Sequence, residues 1–89
     1  MPTEMIKLRE ALDNLGIQWD DDTYDRKGGF PFLDLSIYRT KFRYNGRYYS
    51  VICGYGTYGG EEGLLEVMID NTDPIGHLTA EDVLDIIED

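Results

Sequence analysis

Apolar residues are spaced in two distinct ways along this chain. Between residues 3 and 15 they recur at Met5, Leu8, Leu12 and Leu15. Spacings of three and four put these side chains on one face of a helix. Thr3, after Pro2, is the expected N-cap. Gly16 stands where a left-handed residue ends a helix, with Ile17 placed to fold back on Leu12. Lys7 and Arg9 fall off the apolar stripe, and the helix reads as a core-packing element. Further on the period drops to two, over residues 34–44 and 47–54, and the two runs flank Asn45-Gly46. This dipeptide is a strong hairpin signal, because a type I′ turn needs positive φ at both central positions.

A two-residue turn fixes the register. Tyr44 then faces Arg47, Arg43 faces Tyr48, Phe42 faces Tyr49, Lys41 faces Ser50, Thr40 faces Val51 and Arg39 faces Ile52. Since side chains alternate across a strand, one face carries Tyr38, Thr40, Phe42, Tyr44, Tyr49, Val51 and Cys53 and is expected to be core. The other carries Arg39, Lys41, Arg43, Tyr48, Ser50 and Ile52, a basic stripe with aromatic and aliphatic neighbours.

The remaining segments are shorter. Ile17-Gln18-Trp19 reads as a strand or an extended link, and residues 20–29 read as a loop by composition. Pro31 favours extended backbone at Phe30. Residues 64–69 fit either a buried strand or a short helix, with Val67, Ile69 and the flanking turn residues favouring strand. Residues 71–74 form a turn, after which Ile75 to Leu78 is placed to pair back. A last helix over residues 79–88 starts at Thr79, which forms an approximate capping box with Asp82 and buries Val83, Leu84, Ile86 and Ile87. The expected fold is α+β, a single domain over residues 1–89, with a small antiparallel sheet built on the central hairpin and a helix from each end of the chain.

Charge divides the chain. Of 89 residues, 18 are acidic and 8 are Lys or Arg, a formal net charge of -10. Residues 35–60 hold four bases and no acid, whereas residues 61–89 hold ten acids and no base. Such a balance repels nucleic acid and anionic membrane and favours a basic partner, such as the nucleic-acid groove of another protein. Direct DNA binding is therefore not expected. No apolar run is long enough to span a membrane, and MPTEMIKLRE lacks the apolar core of a secretion signal. The expected location is the cytoplasm.

Candidate chemistry is sparse. Cys53 is the only cysteine and His77 the only histidine, so a Cys/His zinc site has too few ligands. The aspartates of residues 20–25 do not follow the spacing of a calcium loop. Neither serine, Ser36 or Ser50, lies in a nucleophile motif, and nothing ties His77 to either of them or to Cys53. The expectation is a protein without catalytic residues, cofactor or metal. Residues 54–59 match G-x-G-x-x-G after a strand, but Glu61-Glu62 follows in place of a helix start and there is no βαβ context. The segment reads instead as a contact loop, with Tyr55 and Tyr58 available to stack on a base or fill a partner's pocket.

Three runs carry a resemblance: Ser50-Val51-Ile52 into residues 54–60 (GYGTYGG), residues 62–68 (EGLLEVM) and residues 76–83 (GHLTAEDV). Together they resemble small uncharacterised proteins of phages and prophages of Gram-positive bacteria. The resemblance covers about the C-terminal half and carries no catalytic residues. It implies a phage accessory protein, a class that includes inhibitors of host defence acting in the cytoplasm of the host. The function expected is inhibition of a bacterial defence factor, in the manner of an anti-CRISPR protein bound to an RNA-guided nuclease. The expected contact residues are Tyr55, Tyr58, Glu61, Glu62, Asp70, Asp73, Glu81, Asp82 and Asp85. The alternative is sequestration of a nucleotide signal by Arg39, Lys41, Arg43 and Tyr48 with the Gly/Tyr loop. A structural or regulatory phage protein is a third reading.

Overall fold

The computed structural model describes residues 1–25 and 36–88. Helix α1 (Thr3–Asn14) is followed by strands β1 (Trp19–Asp21), β2 (Tyr24–Asp25), β3 (Ser36–Tyr44), β4 (Arg47–Cys53), β5 (Leu65–Ile69) and β6 (Ile75–Leu78), then by helix α2 (Ala80–Glu88). A single 3-10 turn (Gly60–Glu62) lies between β4 and β5. The sheet is antiparallel in the order β1-β3-β4-β5-β6, and β2 pairs with the first residues of β3. The extended backbone expected at Phe30 and the first residues of the 34–44 strand lie outside the described residues. The partner strand ends at Cys53 rather than at 54, because Gly54 already belongs to the loop.

The Asn45-Gly46 turn has φ of 50° and 77°, and all six expected pairs form, with Tyr38 opposite Cys53 in addition. Of residues 64–69, all but Leu64 form strand β5, and Ile75–Leu78 pairs back on it. Asp70 and Asn71 make the connecting turn, with φ of 49° and 59° and the Thr72 N–H donating to the Ile69 carbonyl at 2.9 Å. One β6 feature was not expected. Leu65 pairs with Leu78 and Val67 with Ile75, so Gly76 and His77 together face Glu66 as a bulge, with His77 at φ 60°. The bulge re-aims the His77 N–H out of the ladder, and it donates to the Tyr58 carbonyl at 3.1 Å.

Both helices pack on one face of the sheet. Met5, Leu8 and Leu12 of α1 and Ala80, Val83 and Ile87 of α2 cluster with Phe42, Tyr49, Val51, Cys53, Leu65 and Val67. Tyr38, Tyr44, Leu84 and Ile86 pack half-buried around this core. Helix α1 ends as expected: Gly16 has φ 73°, its N–H donates to the Asp13 carbonyl at 3.1 Å, and the Ile17 N–H donates to the Leu12 carbonyl at 2.9 Å. These are the two bonds of a Schellman motif. Its start differs from expectation. Pro2 is the N-cap, and Thr3 lies inside the helix with no side-chain capping bond. At α2 the Thr79–Asp82 box forms, with the Thr79 N–H donating to Asp82 Oδ2 at 2.9 Å and the Asp82 N–H to Thr79 Oγ1 at 3.2 Å. The Ala80 N–H donates to Glu4 Oε1 at 2.9 Å, so α1 supplies a second cap to α2 and ties the chain ends together.

Arg9 corrects the reading of α1. It is buried, not off the stripe. Its Nε donates to Thr40 Oγ1 at 2.8 Å, and its Nη2 donates to Asp21 Oδ1 and the Arg39 carbonyl, both at 3.2 Å. The guanidinium lies 4.7 Å over the Trp19 ring. The loop expected over residues 20–29 is also revised in its first part, because β1 and β2 hold most of residues 20–25 against β3, and residues 26–29 lie outside the described residues.

Candidate functional site

Two charged surfaces carry the residues singled out in the sequence, and the α2 part of the second lies across the sheet from the first. The first is the face away from the helices. Across it run the rows Asp20–Lys41–Ser50–Met68 and Arg39–Ile52–Glu66, with Arg43 opposite Tyr48. The acidic C-terminal helix does not cover this stripe, since it packs on the other face. The 20–25 segment does reach it. Asp22 Oδ2 accepts from Arg39 Nη2 at 2.6 Å and from Lys41 Nζ at 2.9 Å. The Lys41 hydrogen bond, followed by the charge of Arg39, holds the Asp22 carboxyl below the usual carboxylate range, and Asp22 in turn raises Lys41 above its usual value. Arg39 also stacks on Tyr24 at 4.9 Å, and Arg43 on Tyr48 at 5.5 Å.

The Gly/Tyr loop is built by its own packing. Thr57 Oγ1 accepts the Gly54 N–H at 3.1 Å and donates to the Gly54 carbonyl at 2.8 Å. A Cβ on Gly60 would fall 1.8 Å from the Gly54 carbonyl oxygen, and one on Gly76 would fall 2.2 Å from Tyr58 Cβ. These glycines let the chain approach itself. Tyr58 is held by its backbone, whose N–H donates to the buried Glu66 carboxylate at 3.0 Å and whose carbonyl accepts from His77. Its side chain projects outward, 60% exposed, and Tyr55 is 53% exposed.

The second surface is acidic. Glu61 and Glu62 are exposed on the 3-10 turn beside Tyr58, and Asp73 is exposed before β6. On α2, Glu81, Asp85 and Glu88 are exposed and spaced four and three apart, so they line one solvent-facing stripe. Two of the expected contact residues also have structural roles. Asp82 caps α2, and Asp70 Oδ1 accepts the Tyr48 N–H at 2.9 Å from the β5–β6 turn. The carboxylates after residue 60 form no ion pair among the described residues, where the salt bridges involve Glu4, Asp21 and Asp22.

Among the described residues, Cys53 and His77 are not brought together. Cys53 is fully buried in the core, and burial pushes its thiol above the usual value. His77 is exposed on β6, and no group of His, Cys, Asp and Glu among the described residues is arranged to hold a metal. No helix among them is long and apolar enough to cross a membrane. Arg9, Asp22 and Glu66 were missed as organising residues in the sequence. A signal existed for Arg9, four residues after Met5 and so on the apolar face. Comparison with protein-family models, curated proteins and solved structures finds no match to this chain.

Proposed function

We propose that the protein is a non-enzymatic binding module whose acidic surface occupies a basic, nucleic-acid-binding groove of a partner protein. The partner class that the phage resemblance favours is a bacterial defence nuclease, RNA-guided enzymes included, which the module inhibits by excluding nucleic acid. One observation carries this reading: the chain has no Lys or Arg after Arg47, and the exposed carboxylates of α2 have no internal counter-charge among the described residues.

That arrangement has a cost in the free protein. Glu81 and Asp85 repel at i,i+4, and Asp85 and Glu88 stand near the negative end of the helix dipole. A basic partner relieves both terms. Tyr58, its backbone seated by Glu66 and His77, supplies an exposed aromatic contact beside Glu61 and Glu62.

The test is an Asp85→Asn/Glu88→Gln variant, which leaves the favourable first-turn charge of Glu81 in place, assayed beside the parent against a panel of guide-loaded defence nucleases. The two readouts move in opposite directions: the variant melts higher, because repulsion is relieved, and binds about tenfold more weakly. Parent binding weakens steeply as salt rises and is competed by duplex DNA. Salt-insensitive binding, or a variant that binds as tightly as the parent, refutes the acidic-surface reading. Failure to bind any defence nuclease refutes the choice of partner.

A further inference from the structure

Arg39 and Lys41 stand two residues apart on β3, on the face away from the helices, and converge on a single oxygen of Asp22 at 2.6 and 2.9 Å. The Arg39 Nε is buried and has no hydrogen-bond partner among the described residues. Beside the pair, toward β4 and β5, lies a pocket of about 240 Å³. Its polar wall is Arg39, Lys41 and the Ser50 hydroxyl, and Ile52, Met68 and Tyr48 supply apolar surface. Glu66 and Asn71 also line it, and Glu66 Oε1 is engaged by the Tyr58 N–H.

We propose that this pocket binds the phosphate group of a small phosphate monoester, and that Asp22 is an internal carboxylate that holds the two cations in place until the ligand displaces it. Three features carry the proposal. A guanidinium fork and an ammonium meeting at one point match a tetrahedral dianion better than a single carboxylate oxygen, which uses one donor from each. The buried Nε is a donor left over in the Asp22-bound state, and a buried unpaired donor is costly; a phosphate bridging Nε, Lys41 and Ser50 satisfies it. Asp22 itself sits on the two-residue link between β1 and β2, beside the pocket and not in its lining, with its N–H anchored to the Arg39 carbonyl at 3.0 Å, so release of its side chain alone frees the two cations for a ligand.

The volume selects the ligand. It falls below the roughly 300 Å³ at which drug-sized sites begin, so it suits one phosphate with a small organic body rather than a nucleic-acid strand. The site is separate from the acidic stripe of α2, which packs on the other face of the sheet.

Calorimetry on the full chain with inorganic phosphate, adenosine and adenosine monophosphate tests the inference. The expected result is binding of phosphate and of the monophosphate but not of adenosine. Asp22→Asn binds about tenfold tighter, since one competing charge near the surface is removed, and Arg39→Gln loses binding. Ser50→Ala, which leaves both ion pairs intact, weakens binding and serves as the second probe if an ion-pair variant fails to fold. A monophosphate that outbinds phosphate assigns a contribution to the apolar wall and supports an ester as ligand. No binding by parent or Asp22→Asn at millimolar phosphate and monophosphate overturns the proposal, as does adenosine binding as tightly as its monophosphate.

Discussion

Tyr49 stands at the centre of the core, fully buried and stacked on Phe42 with ring centroids 5.0 Å apart and planes 16° from parallel. Its hydroxyl is buried and has no hydrogen-bond partner among the described residues. Taking a hydroxyl out of water without a replacement bond costs about 1–3 kcal/mol on the scale of protein mutations. Tyr49→Phe removes that oxygen and keeps the ring, the stack and the strand. The void left is one oxygen in size, and the contacts forfeited around it offset part of the gain. The net expectation is a stabilisation of about 1 kcal/mol. In a domain of this length that amounts to a rise in melting temperature of about 4–8 °C. Thermal and urea unfolding measure it, with the urea slope unchanged because the surface exposed on unfolding is the same. A variant no more stable than the parent refutes the reasoning, since it means that the hydroxyl is bonded in solution.

Arg9→Met removes the clamp joining α1 to β3 but leaves Thr40 Oγ1 its bond to Met5 Sδ; the expected loss is about 2 kcal/mol, the worth of a charge-assisted bond partly offset by easier burial. Lys7→Met, at an exposed site, is expected to change stability by less than about 0.5 kcal/mol, and an equal loss in the two variants would refute a buried role for Arg9. The acid limb of stability tests the Asp22 pairs. Its folded pKa lies below the unfolded value, so its contribution is complete above that unfolded value, near pH 4, and is lost as pH falls through the folded value. Lys41 is raised, so its share is present below its unfolded value and is lost as pH climbs through the folded one. Asp22→Asn therefore flattens the acid limb; a variant whose stability falls with acid in parallel with the parent shows that the pairs contribute nothing.

The hairpin was legible because its determinants are local. Asn45-Gly46 sets the turn, the turn sets the register, and the register sorts every side chain of β3 and β4 onto a face. The end of α1 and the cap of α2 were legible for the same reason, since each motif lies within a few residues. Arg9 was not, because what buries it, Thr40 and the Arg39 carbonyl, lies about 30 residues away. Glu66 looked like an ordinary strand acid until the loop placed the Tyr58 N–H against it. Residues 54–60 were read as a contact loop presenting Tyr55 and Tyr58. In the fold, Gly60 is required by the carbonyl of Gly54, and Gly76 by Tyr58, contacts that no local pattern encodes. For the site, sequence alone placed both charged surfaces and the tyrosines, but not the carboxylate that claims Arg39 and Lys41.

The strand order explains why the charges remain apart. From β3 onward the sheet is laid out as β3-β4-β5-β6, so position along the chain becomes position across the sheet. The sequence is basic from Arg39 to Arg47 and acidic from Glu61 onward, and this order maps that gradient onto space. Only the segment before β3 folds back to the basic strand, and it brings Asp20, Asp21 and Asp22 with it. Arg39 and Lys41 of the basic stripe are thus paired locally, by Asp22, while the carboxylates of α2 lie across the core from them. Had β6 or α2 crossed to lie over β3, the same composition would have closed into internal ion pairs and left little surface field. Net charge alone therefore does not carry the proposal of a basic partner. The uncrossed path from β3 to β6 supports it, because it leaves the carboxylates after residue 60 without an ion pair among the described residues.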